Sequence, residues 1–189
     1  MSAQDSKLFV ISGPSGAGKG TLVTRVRERR SNLGLTVSAT TRAPRKGEVD
    51  GVNYFFLTRE EFDRRVANGD FVEWAEVHGN CYGTLVSEVT SKLASGASLI
   101  LEIDVQGALQ VKERFPEAVL IFIKPPSLEV LRERLVGRGT ETPETIELRM
   151  ANAADELALA DRYDDVVVND DLDRATDELV RVLDMHERI

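Results

Sequence analysis

The sequence predicts an α/β fold, a parallel sheet flanked by helices, with a small mixed α/β insert and a lid. Three observations predict it. First, short β-rich runs alternate with helical stretches, and several runs are almost wholly apolar, as parallel strands covered on both faces require. The runs are residues 8–12, 36–39, 98–103, 119–124 and 166–169, and the helical stretches are 21–31, 105–115, 128–136, 143–160 and 172–187. Second, residues 38 to about 95 break the alternation with Asn53-Tyr54-Phe55-Phe56, a helical stretch over 59–68, and Phe71-Val72-Glu73-Trp74, which reads as a small insert outside the main sheet. Third, Gly137 to about Arg149 is polar and glycine-containing and reads as a lid. One domain of 189 residues is expected, with its core at about 1–37 and 96–189, an inserted lobe at about 38–95 and the lid at about 137–150.

The first element carries the clearest chemistry. The apolar run Leu8-Phe9-Val10-Ile11 leads into Gly13-Pro14-Ser15-Gly16-Ala17-Gly18-Lys19-Gly20-Thr21, and a helix-forming stretch follows. Strand, glycine-rich turn and helix are the context of a phosphate-binding loop, and they make the sheet one of the P-loop NTPase type. Glycines let several N–H groups turn toward one anion, and the helix adds the positive end of its dipole. Lys19 supplies a full charge for the β- and γ-phosphates of a nucleoside triphosphate. The hydroxyl that ordinarily follows the lysine and holds Mg²⁺ is displaced, because Gly20 stands there and Thr21 comes next. Either Thr21 helps at the metal or water does most of that work.

Two acids end the third run, in Leu99-Ile100-Leu101-Glu102-Ile103-Asp104. Two residues apart on a strand, they point to one face, where an acid can hold Mg²⁺ or its waters opposite the loop. The alternative is a solvent-facing strand end. Ligands of such sheets lie beyond the carboxyl ends of the strands, where Gly13, Asp104 and Asn169 all fall.

In the insert, Arg42 and Arg45 flank Pro44, and two fixed guanidinium forks can grip a phosphate. Glu73 sits in the apolar stretch Phe71-Val72-Glu73-Trp74-Ala75 and has two readings. It is the exposed face of an edge strand, or it accepts from N1–H and the 2-amino group of guanine, donors that adenine lacks. Arg25, Arg27, Arg29 and Arg30, on the first helix, read as a solvated face near its C-terminal end. Trp74 and the phenylalanines read as core.

Bulk composition narrows the function classes. Hydrophobic residues make up 42% and charged residues 30% of the chain, an ordinary globular balance. The net charge of −8 disfavours a nucleic-acid groove. No run approaches a membrane span, and Met1-Ser2-Ala3-Gln4-Asp5 lacks the basic start of a secretory signal. The single cysteine, Cys81, forms no internal disulfide, which suits a reducing cytoplasm. His78 and His186 lack metal-ligand spacing.

Over essentially the whole length the chain resembles the guanylate kinase family. The resemblance is carried by the phosphate loop and, in order, by Val37-Ser38-Ala39-Thr40-Thr41-Arg42-Ala43-Pro44-Arg45, Gly47-Glu48-Val49-Asp50-Gly51-Val52-Asn53-Tyr54, the Phe71–Ala75 stretch, Gly79-Asn80-Cys81-Tyr82-Gly83-Thr84 and Glu102-Ile103-Asp104-Val105-Gln106-Gly107. It implies Mg²⁺-dependent phosphoryl transfer from ATP to GMP (and to dGMP), giving ADP and the diphosphate. It also implies roles. Arg42, Arg45, Tyr54 and Tyr82 would hold the GMP phosphate, and Ser38, Glu73, Thr84 and Asp104 would read or orient guanine. Arg138 and Arg149 would close over the transferring group, with Arg134 a weaker candidate. Asn169 and Asp170 would sit near adenine. The chain departs from the family pattern at Gly20 and at Cys81, where an aromatic is more usual. The rival expectations are a kinase with another acceptor base, an inactive guanylate-kinase-like protein-binding module, and, least favoured, a P-loop GTPase.

Overall fold

The structure is a computed structural model that describes residues 6–77, 79–137, 139 and 142–188. His78 and Arg138 lie outside the described residues. The chain runs β1 (Leu8–Ser12), α1 (Lys19–Arg29), β2 (Gly34–Leu35), β3 (Ala39–Thr40), β4 (Phe55–Phe56), α2 (Arg59–Ala67), β5 (Phe71–Val77), β6 (Asn80–Leu85), α3 (Val86–Ala94), β7 (Leu99–Glu102), α4 (Val105–Arg114), β8 (Val119–Lys124), α5 (Leu128–Gly137), α6 (Pro143–Leu157), β9 (Asp165–Val168) and α7 (Leu172–Glu187).

Five strands form a parallel sheet in the order β2-β7-β1-β8-β9. Alternate residues of β1 enter opposite cores. Phe9 and Ile11 pack with Leu22, Val26, Leu179 and Leu183 of α1 and α7, whereas Leu8 and Val10 pack with Val89, Val105 and Val111 of α3 and α4. Two buried faces explain why β1 and β8 read as continuous apolar runs. Each large aliphatic side chain removed from water there contributes about 1.5–3 kcal/mol.

The expected strand over 36–39 is not in this sheet. Gly34 and Leu35 pair with β7 instead, and the chain then crosses to a second sheet, where Ala39 and Thr40 pair with β4 and β6. This sheet has four strands in the order β4-β3-β6-β5. Its own core joins Ala39, Phe62, Phe71, Cys81 and Leu85. Trp74 is 41% exposed, and its ring meets that of Phe62 edge-on at 6.2 Å. Within the stretch read as insert, α3 packs on the main sheet through Val89. The two sheets are also tied by Arg114 of α4, whose guanidinium donates to the carbonyls of Phe71 (2.8 Å) and Gly69.

The arginines of α1 do not form a merely solvated face. Arg25 pairs with Asp173, Arg29 with Asp177, and Arg30 with Asp184 (2.9 Å) and Glu187, all on α7. The side chains of Arg30 and Glu187 are only 12% and 3% exposed. His186 pairs with Asp165 at 2.6 Å.

Candidate active site

The phosphate loop joins β1 to α1, where the sheet's neighbours diverge to β7 on one side and β8 on the other. That switch point is where open α/β sheets bind ligands. Gly13, Gly16 and Gly18 all have positive φ. At Gly13 and Gly18 a side chain would also strike the Ile123 carbonyl or the Asn169 amide. Among the described helices, α2, α4, α6 and α7 are capped by Thr58, Asp104, Thr142 and Asp171 side chains, whereas α3 after Leu85 and α1 after Gly18 begin without a side-chain cap, and only α1 follows a glycine-rich turn. Its first N–H groups are thus left to a ligand. Pro14 is buried and Ser15 exposed, and Ala17 is buried with its carbonyl accepting from Asn169 Nδ2 at 2.8 Å. Lys19 Nζ curls over the loop, donating to the carbonyls of Gly13 (2.5 Å) and Pro14 (3.2 Å). A loop so built can cradle a polyanion.

Glu102 and Asp104 do not share a face. β7 ends at Glu102, and Asp104 leaves the strand to cap α4, its Oδ1 accepting from Gly107 N at 2.7 Å. Glu102 looks toward α1, where its Oε1 is 3.5 Å from the place a Gly20 side chain would fill. Loss of solvent raises the Glu102 carboxyl above its usual range, and the charge of Lys19 opposes that rise. Asp104 instead looks toward Glu73. Glu73 Oε2 and Asp104 Oδ1 lie 3.2 and 3.5 Å from the position a Gly107 side chain would take.

Glu73 is the sharpest feature of the second sheet. It lies on β5, the edge strand, yet is 8% exposed, so the exposed-face reading of this residue fails. The β5–β6 register sets it opposite Thr84, whose Oγ1 donates to Glu73 Oε1 at 2.8 Å. Burial pushes its carboxyl up to about 7, the Thr84 hydrogen bond opposes the rise, and the nearby Asp104 charge adds to it. An acid kept from water with one oxygen committed and the other near a glycine is suited to a ligand with paired N–H donors.

The arginine loop lies on the same sheet. Arg42 Nη2 donates to both oxygens of Glu48 (2.8 and 3.0 Å), and Nη1 to the Ala43 carbonyl (2.8 Å). Its guanidinium carbon lies 5.4 Å from the ring centroid of Tyr54 and 5.9 Å from that of Phe56, and Tyr82 meets Tyr54 edge-on at 6.2 Å. Arg42, Tyr54 and Tyr82 are thus brought together. The Arg45 side chain is exposed, and its amide N–H donates to Glu48. Ser38 is half-buried, and its carbonyl accepts from Phe55 N where β3 meets β4.

The family model described as guanylate kinase matches residues 5–186 of this chain. A guanylate kinase of Gloeobacter violaceus is 57% identical over 178 residues, covering 94% of this chain and 87% of that protein. One of Halalkalibacterium halodurans is 51% identical over 183 residues, 97% of this chain and 90% of the relative. The chain belongs to the guanylate kinase family. The crystal structure of guanylate kinase from Anaplasma phagocytophilum agrees, with a TM-score of 0.74 at 36% identity over 97% of this chain and 87% of that one.

Among the described residues, Arg149, Arg134 and Asn169 meet the loop or its neighbouring strand end. Arg149, on α6, donates from Nη1 to Ser15 Oγ at 2.6 Å. Arg134, on α5, donates to the Asn169 carbonyl at 2.8 Å. Asn169 is buried, with its amide committed to the loop, while Asp170 is exposed and paired with Arg174. Thr21 is exposed on the first turn of α1. Two acids escaped the reading of the sequence. Glu48 organises the arginine loop, and its only sequence signal is a carboxylate three residues after Arg45. Glu156 of α6 is half-buried and close enough for its charge to feel both Lys19 and Asp104, and loss of solvent raises its pKa. It lies in the helical stretch beyond the expected lid, where no local pattern marks it.

Among the described residues, no group of three or more histidines, cysteines or acids could hold a metal by itself. The donors near the loop are hard oxygens, those of Glu102, Asp104 and Thr21. One or two carboxylates completed by waters and phosphates is how Mg²⁺ is ordinarily bound. The Glu102 carboxylate faces Gly20 at the start of α1, so the donor set fits the ion.

Proposed function

We propose that the protein transfers the γ-phosphoryl group of ATP reversibly to GMP, and to dGMP, giving ADP and the guanosine diphosphate. The observation that carries the reading is the pairing of two unlike cradles. One is an uncapped, glycine-built loop with Lys19. The other is a buried carboxylate, Glu73, held by Thr84 beside Asp104 and served by an arginine loop.

In this reading the backbone of Gly13 to Thr21 and Lys19 bind the ATP phosphates, with Asn169 and Asp170 near adenine. Glu73 accepts from N1–H and N2–H of guanine, and Ser38, Thr84 and Asp104 orient the base. Arg42, Arg45, Tyr54 and Tyr82 hold the acceptor phosphate. Mg²⁺, held through Glu102, Asp104 or Thr21 in part by way of water, would neutralise charge on the ATP phosphates. Both substrates are polyanions, so their repulsion must be cancelled before an acceptor oxygen can line up with the γ-phosphorus. Lys19, Arg42, Arg138 and Arg149 supply that cancellation as the lobe and the lid close and exclude water. No strong general base is needed, because the acceptor phosphate is already ionised. Positioning and charge stabilisation then supply most of the rate. The reaction belongs to purine nucleotide metabolism, and the lone cysteine agrees with a cytoplasmic setting.

A coupled ADP-release assay with ATP and Mg²⁺ tests this, offering GMP, dGMP, AMP, CMP, UMP and dTMP in turn. ADP forms with the two guanine nucleotides alone. Turnover with another base would remove Glu73 from its role, and nucleotide binding without any turnover would favour a protein-binding module.

A further inference from the structure

Glu48 touches both arms of the arginine loop. Its two carboxylate oxygens accept from Arg42 Nη2 at 2.8 and 3.0 Å, and Oε2 also accepts from the Arg45 amide at 2.6 Å. The Arg45 carbonyl in turn accepts from Glu48 N at 3.0 Å, closing a tight turn. The Arg42 and Glu48 side chains are only 16% and 19% exposed. Arg42 is thereby held from one side by the carboxylate and from another by the rings of Tyr54 and Phe56. A guanidinium has five N–H donors in a fixed fork, so the donors aimed at Glu48 and Ala43 leave others in the same plane for an anion.

A carboxylate beside a phosphate site is electrostatically unfavourable to the phosphate. Its presence here needs a compensating gain, and the geometry supplies one. Without Glu48, Arg42 is a long side chain with many rotamers, and binding would have to order it. We propose that Glu48 is a positioning residue for phosphoryl-acceptor binding, presetting Arg42 and the Arg45 turn so that the acceptor phosphate meets an already ordered fork. This inference rests on the reading that the arginine loop receives the GMP phosphate.

The two roles of the carboxylate predict opposite signs. A bare negative charge removed from the site would tighten GMP, whereas a lost positioning contact weakens it. In Glu48→Gln an amide nitrogen faces one of the converging N–H donors, so a contact is lost with little change in size. Glu48→Asp keeps the charge but is one methylene too short to reach both arms. Calorimetric titration of GMP and of guanosine, which lacks the phosphate, separates the possibilities. Both variants bind GMP about tenfold or more weakly, within the range that small misplacements of a binding group cost, and bind guanosine as the parent does. Unchanged or tighter GMP binding in Glu48→Gln overturns the inference. Equal loss for GMP and guanosine overturns it too, because it reports a damaged lobe. Arg42→Ala, titrated alongside, isolates the underlying reading. If Arg42→Ala loses GMP selectively and the Glu48 variants do not, the positioning inference alone fails. If Arg42→Ala leaves GMP affinity unchanged, the phosphate assignment of the loop fails with it.

Discussion

In the proposed reading, the two cradles of this molecule recognise anions and bases by opposite means. The loop after β1 uses backbone. Its donors are peptide N–H groups, its geometry comes from Gly13, Gly16 and Gly18, and its helix end is left without a side-chain cap. The four-stranded sheet uses side chains, with Glu73, Thr84, Arg42 and Glu48 held in mutual contact on β5, β6 and the loop beyond β3. A backbone cradle depends on a short contiguous stretch and reads any phosphate chain. A side-chain cradle must assemble residues from distant positions, but it can tell one base from another. The difference teaches where substitution bites. In the loop, Lys19 is the one long charged side chain among backbone donors, and in the sheet each side chain carries part of the specificity.

The largest effect expected is at Lys19. Lys19→Ala lowers kcat about 10³-fold, on the order of 4 kcal/mol, as removal of a preorganised charge from a transferring phosphoryl group does. GMP affinity, measured without ATP, stays within a factor of about two. A loss of less than tenfold in kcat would mean that backbone N–H groups alone carry the charge stabilisation. Next comes Glu73→Gln. An amide presents an N–H donor to a base edge that itself donates, so kcat/KM for GMP falls about 10²-fold or more while KM for ATP holds. Comparable losses for both substrates would break the division of labour between the two cradles.

Sequence exposed these cradles unequally, for the same reason. The loop was legible because its signal is local, with strand, glycines, lysine and helix in unbroken order. The main sheet was legible because burial on both faces makes β1 and β8 apolar up to their last residues, Ser12 and Lys124. The strand expected at 36–39 failed because β2 is two residues long and has no period. Its place is fixed by pairing of Gly34 with the Ser98 carbonyl, a contact 64 positions away. Glu73 was visible as an acid out of place, but only the β5–β6 register could set it against Thr84. The α1–α7 clamp was misread because the partners of Arg25, Arg29 and Arg30 lie about 150 positions on, and a helix face alone does not say whether it meets water or acids.

An effect of similar size, on stability rather than rate, follows from the cost of the side-chain cradle. The Glu73 carboxyl stands at about 7 in the fold, against an ordinary value of 4.5. The folded state therefore holds the extra proton between those values, and stability falls as pH rises through that window. Above it the buried charge costs up to about 3 kcal/mol, at 1.36 kcal/mol per pKa unit. Glu73→Gln removes that cost. Its denaturant midpoint lies above the parent's at pH 8, and the difference shrinks toward zero near pH 4.5. Equal midpoints at pH 8 would mean that the acid is stabilised in place before any ligand arrives.

The smallest effect sharpens the comparison most, because it ties that cost to recognition. In the proposed reading guanine needs the ionised acid, whereas burial pushes the carboxyl of the free protein up to about 7. Binding must then expel a proton, so affinity falls by as much as tenfold per unit below that pH and levels off above it. The GMP phosphate also changes charge near pH 6, which would blur the slope, and guanosine avoids this. Guanosine titrated into the parent from pH 5.5 to 8.5 shows the bend near 7, and Glu73→Gln shows weak binding without a bend. ATP, bound in that reading by the backbone N–H groups of the loop and by Lys19, shows no such bend over the upper half of the range. A bend for guanosine that persists in Glu73→Gln would locate the proton outside the base pocket and erase the distinction between the two cradles. A bend for guanosine alone makes Glu73 the group whose burial is repaid only when a base with paired donors arrives.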